Sequence, residues 1–244
     1  MRFLLYNIRY GAGIGSKFHL PVPYAGYLKR STDNFDQITE FIRKASPDIV
    51  GLVEVDSGSF RVDKCCQAES LARQLDYNHI VESKYREGSV VQLVPVLCNQ
   101  GNALLSRKEI LEHRFHFFKR GVKRLVIEAR TEDVTVFLVH LSLTYRNRQY
   151  QLEQLFQMVR QVQGPIIVAG DFNVLRGDRE LELFLAATGL RNANNEGCPS
   201  HPSRAPTRQL DYILYSPDLT VRKFSIPKVK FSDHAPLICD FEKT

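Results

Sequence analysis

The 244-residue chain has no long hydrophobic run. Its first apolar stretch, Phe3-Leu4-Leu5-Tyr6 directly after Met1-Arg2, is far too short for a signal-peptide core or a membrane span. It reads as a first strand, and the protein is expected in the cytoplasm, not in a membrane. The cysteines, Cys65, Cys66, Cys98, Cys198 and Cys239, are odd in number, include an adjacent pair and lack metal-type spacing. That argues against a disulfide framework or a cysteine zinc site and fits reduced thiols. No Pro/Gly/Ser-rich or charge-rich linker divides the chain, so residues 1–244 are expected to form one domain.

What is present is an ordinary globular composition, 43% hydrophobic and 25% charged, with a formal net charge of +6. The excess of basic groups attracts polyanions: nucleic acid, anionic lipid head groups or phosphorylated metabolites. A basic surface without a polyanion partner would have the same composition.

One pattern occurs twice: strand, helix, then a second strand that ends on an acid. In the first copy residues 3–8 are a strand carrying Asn7. Residues 33–44 place Phe35, Ile38, Phe41 and Ile42 at helical spacing, and residues 48–54 are a buried strand delivering Glu54. In the second copy residues 134–143 carry His140, residues 146–162 place Leu152, Leu155, Phe156 and Val159 on one helical face, and residues 165–171 deliver Asp171. Two such halves predict a four-layered α/β sandwich, two packed mixed β-sheets flanked by helices; a single doubly wound parallel sheet is the alternative. Further strands are expected over 89–98, 124–130 and 228–231. Further helices are expected over 67–75 and over 178–187, with Asp178 as cap. The loops 11–30 and 192–208 are rich in Gly, Pro, aromatic and basic residues, as substrate-selecting loops are.

Polar residues interrupt these apolar stretches. Glu54 ends a buried strand, where a carboxylate needs a hard cation such as Mg²⁺ or a salt bridge to a neighbouring Arg. Asp171 and Asn173 are two apart, so on extended backbone they face one phosphate group; a plain Asx turn at Gly170-Asp171 is the other reading. Asp211 breaks the apolar run after Leu210, and Ser232-Asp233-His234 closes the chain. An Asp bonded to one imidazole nitrogen fixes its tautomer and raises its pKa. His140 or His234 alone would more simply be a satisfied core histidine. Together Asn7, Glu54, His140, Asp171, Asn173, Asp211, Asp233 and His234 fall at or near strand ends, and that joint placement points to metal-assisted phosphoester hydrolysis.

The ordered motifs resemble the endonuclease/exonuclease/phosphatase superfamily, which includes deoxyribonuclease I, exonuclease III-like abasic-site endonucleases, neutral sphingomyelinases and inositol polyphosphate phosphatases. The resemblance covers nearly the whole chain. It is carried by Tyr6-Asn7, Pro47 to Glu54, Gly101-Asn102, His140 with Arg148 and Gln151, Gly170-Asp171-Phe172-Asn173, Leu210-Asp211-Tyr212 and Ser232-Asp233-His234. It implies the four-layered sandwich, with Glu54 as principal ligand of Mg²⁺ or Mn²⁺, Asn7 beside it and Asp233 as a further ligand. It also implies that Asp171 activates water, that Asn173 and His140 stabilise the phosphorane-like state, and that the Asp211–His234 pair acts on the phosphate. Arg9, Asn102, Lys123 and Arg124 are the candidate substrate-binding residues. Ile8-Arg9 after Asn7 replaces the Asn-x-Asp of the abasic-site branch and removes a carboxylate from the metal neighbourhood. Gln67-Ala68-Glu69 is similar to bacterial members of the sphingomyelinase-like branch.

The expected activity is a Mg²⁺-dependent phosphodiesterase whose partner is a phosphoester substrate, either nucleic acid or a phospholipid or inositol phosphate head group. No obligate protein partner is evident. The head-group hydrolase is the alternative to a nuclease, and a non-catalytic phosphate-binding module is the less favoured third reading.

Overall fold

The computed structural model describes residues 1–14, 32–84 and 99–244. The chain begins with β1 (Arg2–Asn7), α1 (Thr32–Ala45), β2 (Ile49–Asp56), α2 (Gln67–Leu75), β3 (Asn78–Ser83) and β4 (Gln100–Ser106). There follow β5 (Glu112–Phe117), β6 (Leu125–Arg130), β7 (Thr135–His140), α3 (Tyr145–Val159), β8 (Ile166–Asp171) and α4 (Glu182–Thr188). The chain closes with β9 (Arg191–Asn192), β10 (Asp211–Tyr215), β11 (Leu219–Ser225) and β12 (Leu237–Lys243). One six-stranded sheet has the order β11-β12-β1-β2-β4-β3, and the other β5-β6-β7-β8-β10-β9.

Period-two alternation sorts the strands into layers. Phe3 and Leu5 of β1 join Val136 and Leu138 of β7, Ile167 of β8 and Ile213 of β10 in the core between the sheets. Leu4 and Tyr6 turn outward to Phe35, Ile38 and Ile42 of α1 and Leu71 of α2. Phe137, Val139 and Val168 turn the opposite way to Leu152, Leu155 and Val159 of α3 and Phe184 of α4. The result is the four-layered sandwich that the doubled pattern predicts; a doubly wound single sheet is excluded. The sheets approach closely at Gly51, where an added Cβ would stand 2.9 Å from Leu138 Cδ1.

Both parallel pairs, β1 with β2 and β7 with β8, run toward the same edge of the sandwich. Register sets Asn7 opposite Val53 and His140 opposite Asp171. Antiparallel β10 begins there, with Asp211 opposite Asp171. Gly170 permits this convergence. Its φ is +150°, and a Cβ there would lie 1.9 Å from the Val139 carbonyl oxygen, so no other residue fits.

Three sequence expectations need correction. Residues 228–231 alternate as a strand would but form none. Val229 and Phe231 pack against the α1/α2 layer, and the Phe231 carbonyl accepts from the Asn34 side chain at 2.7 Å, not from a ladder. The segment 178–187 is a 3₁₀ turn, Asp178–Glu180, followed by α4. Asp178 caps neither, since its carboxylate accepts from the Tyr212 hydroxyl at 2.5 Å. Asn173 is not on extended backbone, because its φ is +52°. The expected strand over 89–98 and most of the loop 11–30 lie outside the described residues. Among the described residues no helix is long and apolar enough to cross a membrane.

Candidate active site

The strand ends gather most of the polar residues singled out above. Glu54 sits at a bulge, where the β2–β4 register shifts between Val53 and Val55, with φ at +60°. The left-handed kink takes its side chain out of the strand alternation. Asn102 stabilises the kink: it is fully buried, and its Oδ1 accepts the Glu54 amide at 3.2 Å. Its contact is thus with the Glu54 backbone. Asn7 accepts the Arg9 amide on Oδ1 at 3.2 Å and donates from Nδ2 to Asp171 Oδ2 at 3.2 Å.

Asp171 Oδ2 is the centre of the cluster. His140 Nε2 stands 3.2 Å from it and His234 Nε2 3.9 Å. Asp171 Oδ1 accepts the Asn173 amide at 3.0 Å, so the Asx turn is formed. Asn173 Nδ2 donates to the Leu141 carbonyl at 2.9 Å. His234 Nδ1 lies 2.8 Å from Asp211 Oδ2, and Ser200 Oγ donates to the same oxygen at 2.6 Å. Arg9 joins through Asp233, its Nη1 3.3 Å from Asp233 Oδ2.

Lys123 also reaches the cluster. Its ammonium contacts His140 Nε2 and lies 3.9 Å from Glu54 Oε1. Gln151 fixes the loop that carries it, donating to the carbonyls of Lys123 at 2.7 Å and Arg120 at 3.0 Å while accepting the Ser142 amide at 2.8 Å. Arg124 does not join. Its carbonyl closes a backbone bond with Phe118, and among the described residues no ion pair ties its guanidinium to the cluster.

Lys84 was not foreseen from the sequence. This lysine, 4% exposed, holds its ammonium 3.7 Å from Glu54 Oε1 and donates to the Tyr10 hydroxyl at 2.8 Å. Tyr10 itself is buried with φ at +56°, and its ring centroid lies 4.9 Å from the guanidinium carbon of Arg61 and 5.1 Å from the ammonium of Lys84. Arg61 is anchored in turn by Asp56 at 2.6 Å. The available signal was a lysine directly after the strand-like run Asn78–Ser83, whose polar residues hide its sheet pairing. Ser200 and His201 were missed too, lying in a loop with no periodicity.

These contacts push the ionisable groups apart. Burial raises the Glu54 carboxyl, but Lys84, Lys123 and His140 overcome it and hold it down at about 2. Burial also opposes ionisation of Asp171, yet His140 and His234 bring it well below the usual carboxylate range. Burial and then Lys123 depress His140 to about 4, leaving it neutral near pH 7. For His234 burial works downward, but Asp211 and Asp171 lift it to about 10. Burial and then Lys123 lower Lys84 to about 8 against the attraction of Glu54.

A model of the endonuclease/exonuclease/phosphatase family matches residues 4–234. The chain belongs to that family. A UPF0294 protein of Yersinia pseudotuberculosis is 36% identical over 111 residues, 45% of this chain and 42% of that protein. The chain thus matches less than half the length of that relative. The catalytic domain of human Nocturnin, solved with a bound sulfate anion, superposes with a TM-score of 0.71 at 23% identity, covering 100% of this chain and 94% of that one. The mannosyl-6-phosphatase Bt3783 of Bacteroides thetaiotaomicron superposes with a TM-score of 0.72 at 16% identity, covering 99% of each. Both likenesses are of fold.

The family is in general divalent-metal dependent, and the residues here fit a divalent cation. The Glu54 carboxylate and the Asn7 amide oxygen are hard oxygen donors of the kind Mg²⁺ takes. Two further groups, Asp171 with Asp211 and His234, and His201 with Asp233 and His234, each bring three ligand atoms within 4.8 Å of one another.

Proposed function

We propose that the chain is a divalent-metal-dependent phosphodiesterase that breaks a P–O bond with a water positioned at the strand ends. The observation that supports this most is the convergence on Asp171 Oδ2 of Asn7 Nδ2 at 3.2 Å, His140 Nε2 at 3.2 Å and His234 Nε2 at 3.9 Å, surroundings that hold the Asp171 carboxyl below its usual range while Asp211 lifts His234. Groups pushed apart in this way are suited to base and acid roles in one reaction.

Glu54 and Asn7, with Asp233 as a further ligand, would hold Mg²⁺ or Mn²⁺. When bound, the cation neutralises charge on the phosphate. Asp171 orients the attacking water through Oδ2 and takes its proton as the new O–P bond forms. His234, its Nδ1 proton held by Asp211, donates from Nε2 to the departing oxygen. Neutral His140 and the second amide proton of Asn173 face the phosphate oxygens, and Lys123 and Arg9 supply positive charge on either side. Lys84 acts through Glu54, balancing its buried carboxylate.

A cavity of about 940 Å³ adjoins the Asp233 segment at Ser203 and Ala235, lined by Arg204, Arg222, Lys223, Lys228 and Lys230 against a single acid, Glu196. It favours a substrate with phosphates beyond the scissile one, as a nucleic acid has. A head group or other small phosphoester is the second reading, favoured by the fold likeness to a mannosyl-6-phosphatase. Nicking of supercoiled plasmid in Mg²⁺ separates them, with EDTA and Asp171→Asn as controls. Nicking lost in both controls is expected; no nicking by folded, Mg²⁺-supplied protein would turn the assignment to small phosphoesters.

A further inference from the structure

His201 faces the same cluster from a loop outside the strands, and nothing in the proposed hydrolysis uses it. Its ring centroid is 4.7 Å from that of His234, and its Nδ1 is buried without a hydrogen-bond partner. One nitrogen of His201, one of His234 and one oxygen of Asp233 fall within 4.8 Å of one another.

Backbone bonds build this geometry into the fold. The amide of Ala235 donates to the Ser200 carbonyl at 2.9 Å and that of Ser203 to the Asp233 carbonyl at 2.7 Å. His201 and Arg208 exchange amide–carbonyl bonds at 3.0 and 2.9 Å. The loop is thereby pinned to the segment carrying Asp233 and His234. His234 Nδ1 is engaged by Asp211, which leaves Nε2 as its ligating atom. A carboxylate on the far nitrogen is also the arrangement that orients metal-bound imidazoles.

Two imidazoles and one carboxylate are a poor set for Mg²⁺, which prefers six oxygens, and a good one for Zn²⁺. We propose that His201, Asp233 and His234 form a Zn²⁺ site whose occupation displaces the His234 Nε2 proton to solvent, so that this nitrogen no longer donates to the departing oxygen and hydrolysis is inhibited. Arg9, 3.3 Å from Asp233 Oδ2, competes for that carboxylate and keeps the site weaker than a closed structural zinc site. Binding stands on the three ligands alone; the inhibitory consequence rests on the proposed phosphodiesterase.

The test is calorimetric titration of the full chain with ZnCl₂, with every cysteine that reacts in the folded protein, Cys98 included, alkylated beforehand so that reactive thiols do not contribute. Wild type is compared with His201→Phe, which keeps a ring against His234. The expected result is one Zn²⁺ per chain in wild type, affinity ~10-fold or more weaker in His201→Phe, and a Zn²⁺ inhibition midpoint raised by the same factor while Mg²⁺-supported turnover is kept. Equal Zn²⁺ affinity in the two proteins overturns the proposal. Should His201→Phe not fold, ¹⁵N-histidine spectra of wild type decide: Zn²⁺ must move the His201 and His234 imidazoles together, and shifts confined to other histidines overturn the site. Absence of turnover in every protein would refute the phosphodiesterase and leave the Zn²⁺ titration to be judged by itself.

Discussion

Asp211 Oδ2 takes two hydrogen bonds, from His234 Nδ1 at 2.8 Å and from Ser200 Oγ at 2.6 Å, while its Oδ1 is buried without a partner. A buried carboxylate so placed is tolerated because it shares a proton-bearing imidazole. The consequence is a pH dependence of stability with a definite sign. His234 is raised to about 10 in the folded chain from ~6.5 when unfolded. The pairing therefore stabilises fully below ~6.5 and is lost as pH rises through about 10. Each unit of separation corresponds to ~1.4 kcal/mol. In EDTA, wild type should lose more stability than His234→Gln between pH 7 and 10 in chemical denaturation. Parallel curves for the two proteins would show that the pair holds no extra proton.

Asp171 lies within reach of Asn7, His140 and His234 at once, so its substitution removes the common anion of the site. Asp171→Asn or His234→Ala should lower turnover ~100-fold or more while circular dichroism stays unchanged. Retained turnover in both variants would discard the acid–base assignment.

The Glu54 carboxylate faces two ammonium groups, at 3.7 Å from Lys84 and 3.9 Å from Lys123. Those charges already compensate the carboxylate and repel a divalent cation brought to the same oxygen, and ~1.4 kcal/mol of such repulsion is a factor of ~10 in affinity. Lys84→Met should therefore tighten Mg²⁺ binding, by ~10-fold, and Glu54→Gln should weaken it. Calorimetric Mg²⁺ titration checks both, and unchanged affinities in the two variants would move the cation away from Glu54.

Arg148 and Glu180 form an ion pair at 2.5 Å with side chains 1% and 3% exposed. Arg148 also donates to the Ser142 and Leu143 carbonyls at 2.8 and 3.0 Å, fixing the loop after His140. Glu180→Gln should cost ~3–5 kcal/mol of unfolding free energy by stranding the guanidinium, and Arg148→Met with Glu180→Leu should cost less. Urea denaturation of the three proteins tests the ordering.

The layers were legible because period two and period 3.6 separate cleanly in β1, α1, β7 and α3, where tertiary packing agrees with local pattern. The alternation in residues 228–231 misled because irregular chain packed on a helix layer can alternate as a strand does. Strands β3, β5, β11 and β12 went unseen, being half-polar and lying at or next to sheet edges where one face meets water; the two-residue β9 and the fully buried β4, which opens on the turn-like Gln100-Gly101-Asn102, went unseen as well. In the site, residues that spoil apolar strands were visible, since a carboxylate in a hydrophobic run needs a reason. Lys84, Tyr10 and His201 were not, because each reaches the cluster from outside an apolar strand and becomes significant only through contacts distant in sequence. Asn102 was visible as a motif residue, but its contact with the Glu54 backbone depends on a bulge that no sequence pattern announces.

The most direct measurement of the central claim is phosphoester release by purified protein across plasmid DNA, bis-p-nitrophenyl phosphate, phospholipid vesicles and inositol polyphosphates. Each substrate is assayed in Mg²⁺, in EDTA, in EDTA followed by excess Mg²⁺, and with Asp171→Asn. The account predicts hydrolysis of at least one substrate that stops in EDTA, returns with Mg²⁺ and is lost in the variant. Hydrolysis that survives Asp171→Asn, or none from any substrate by folded protein supplied with Mg²⁺, would contradict it.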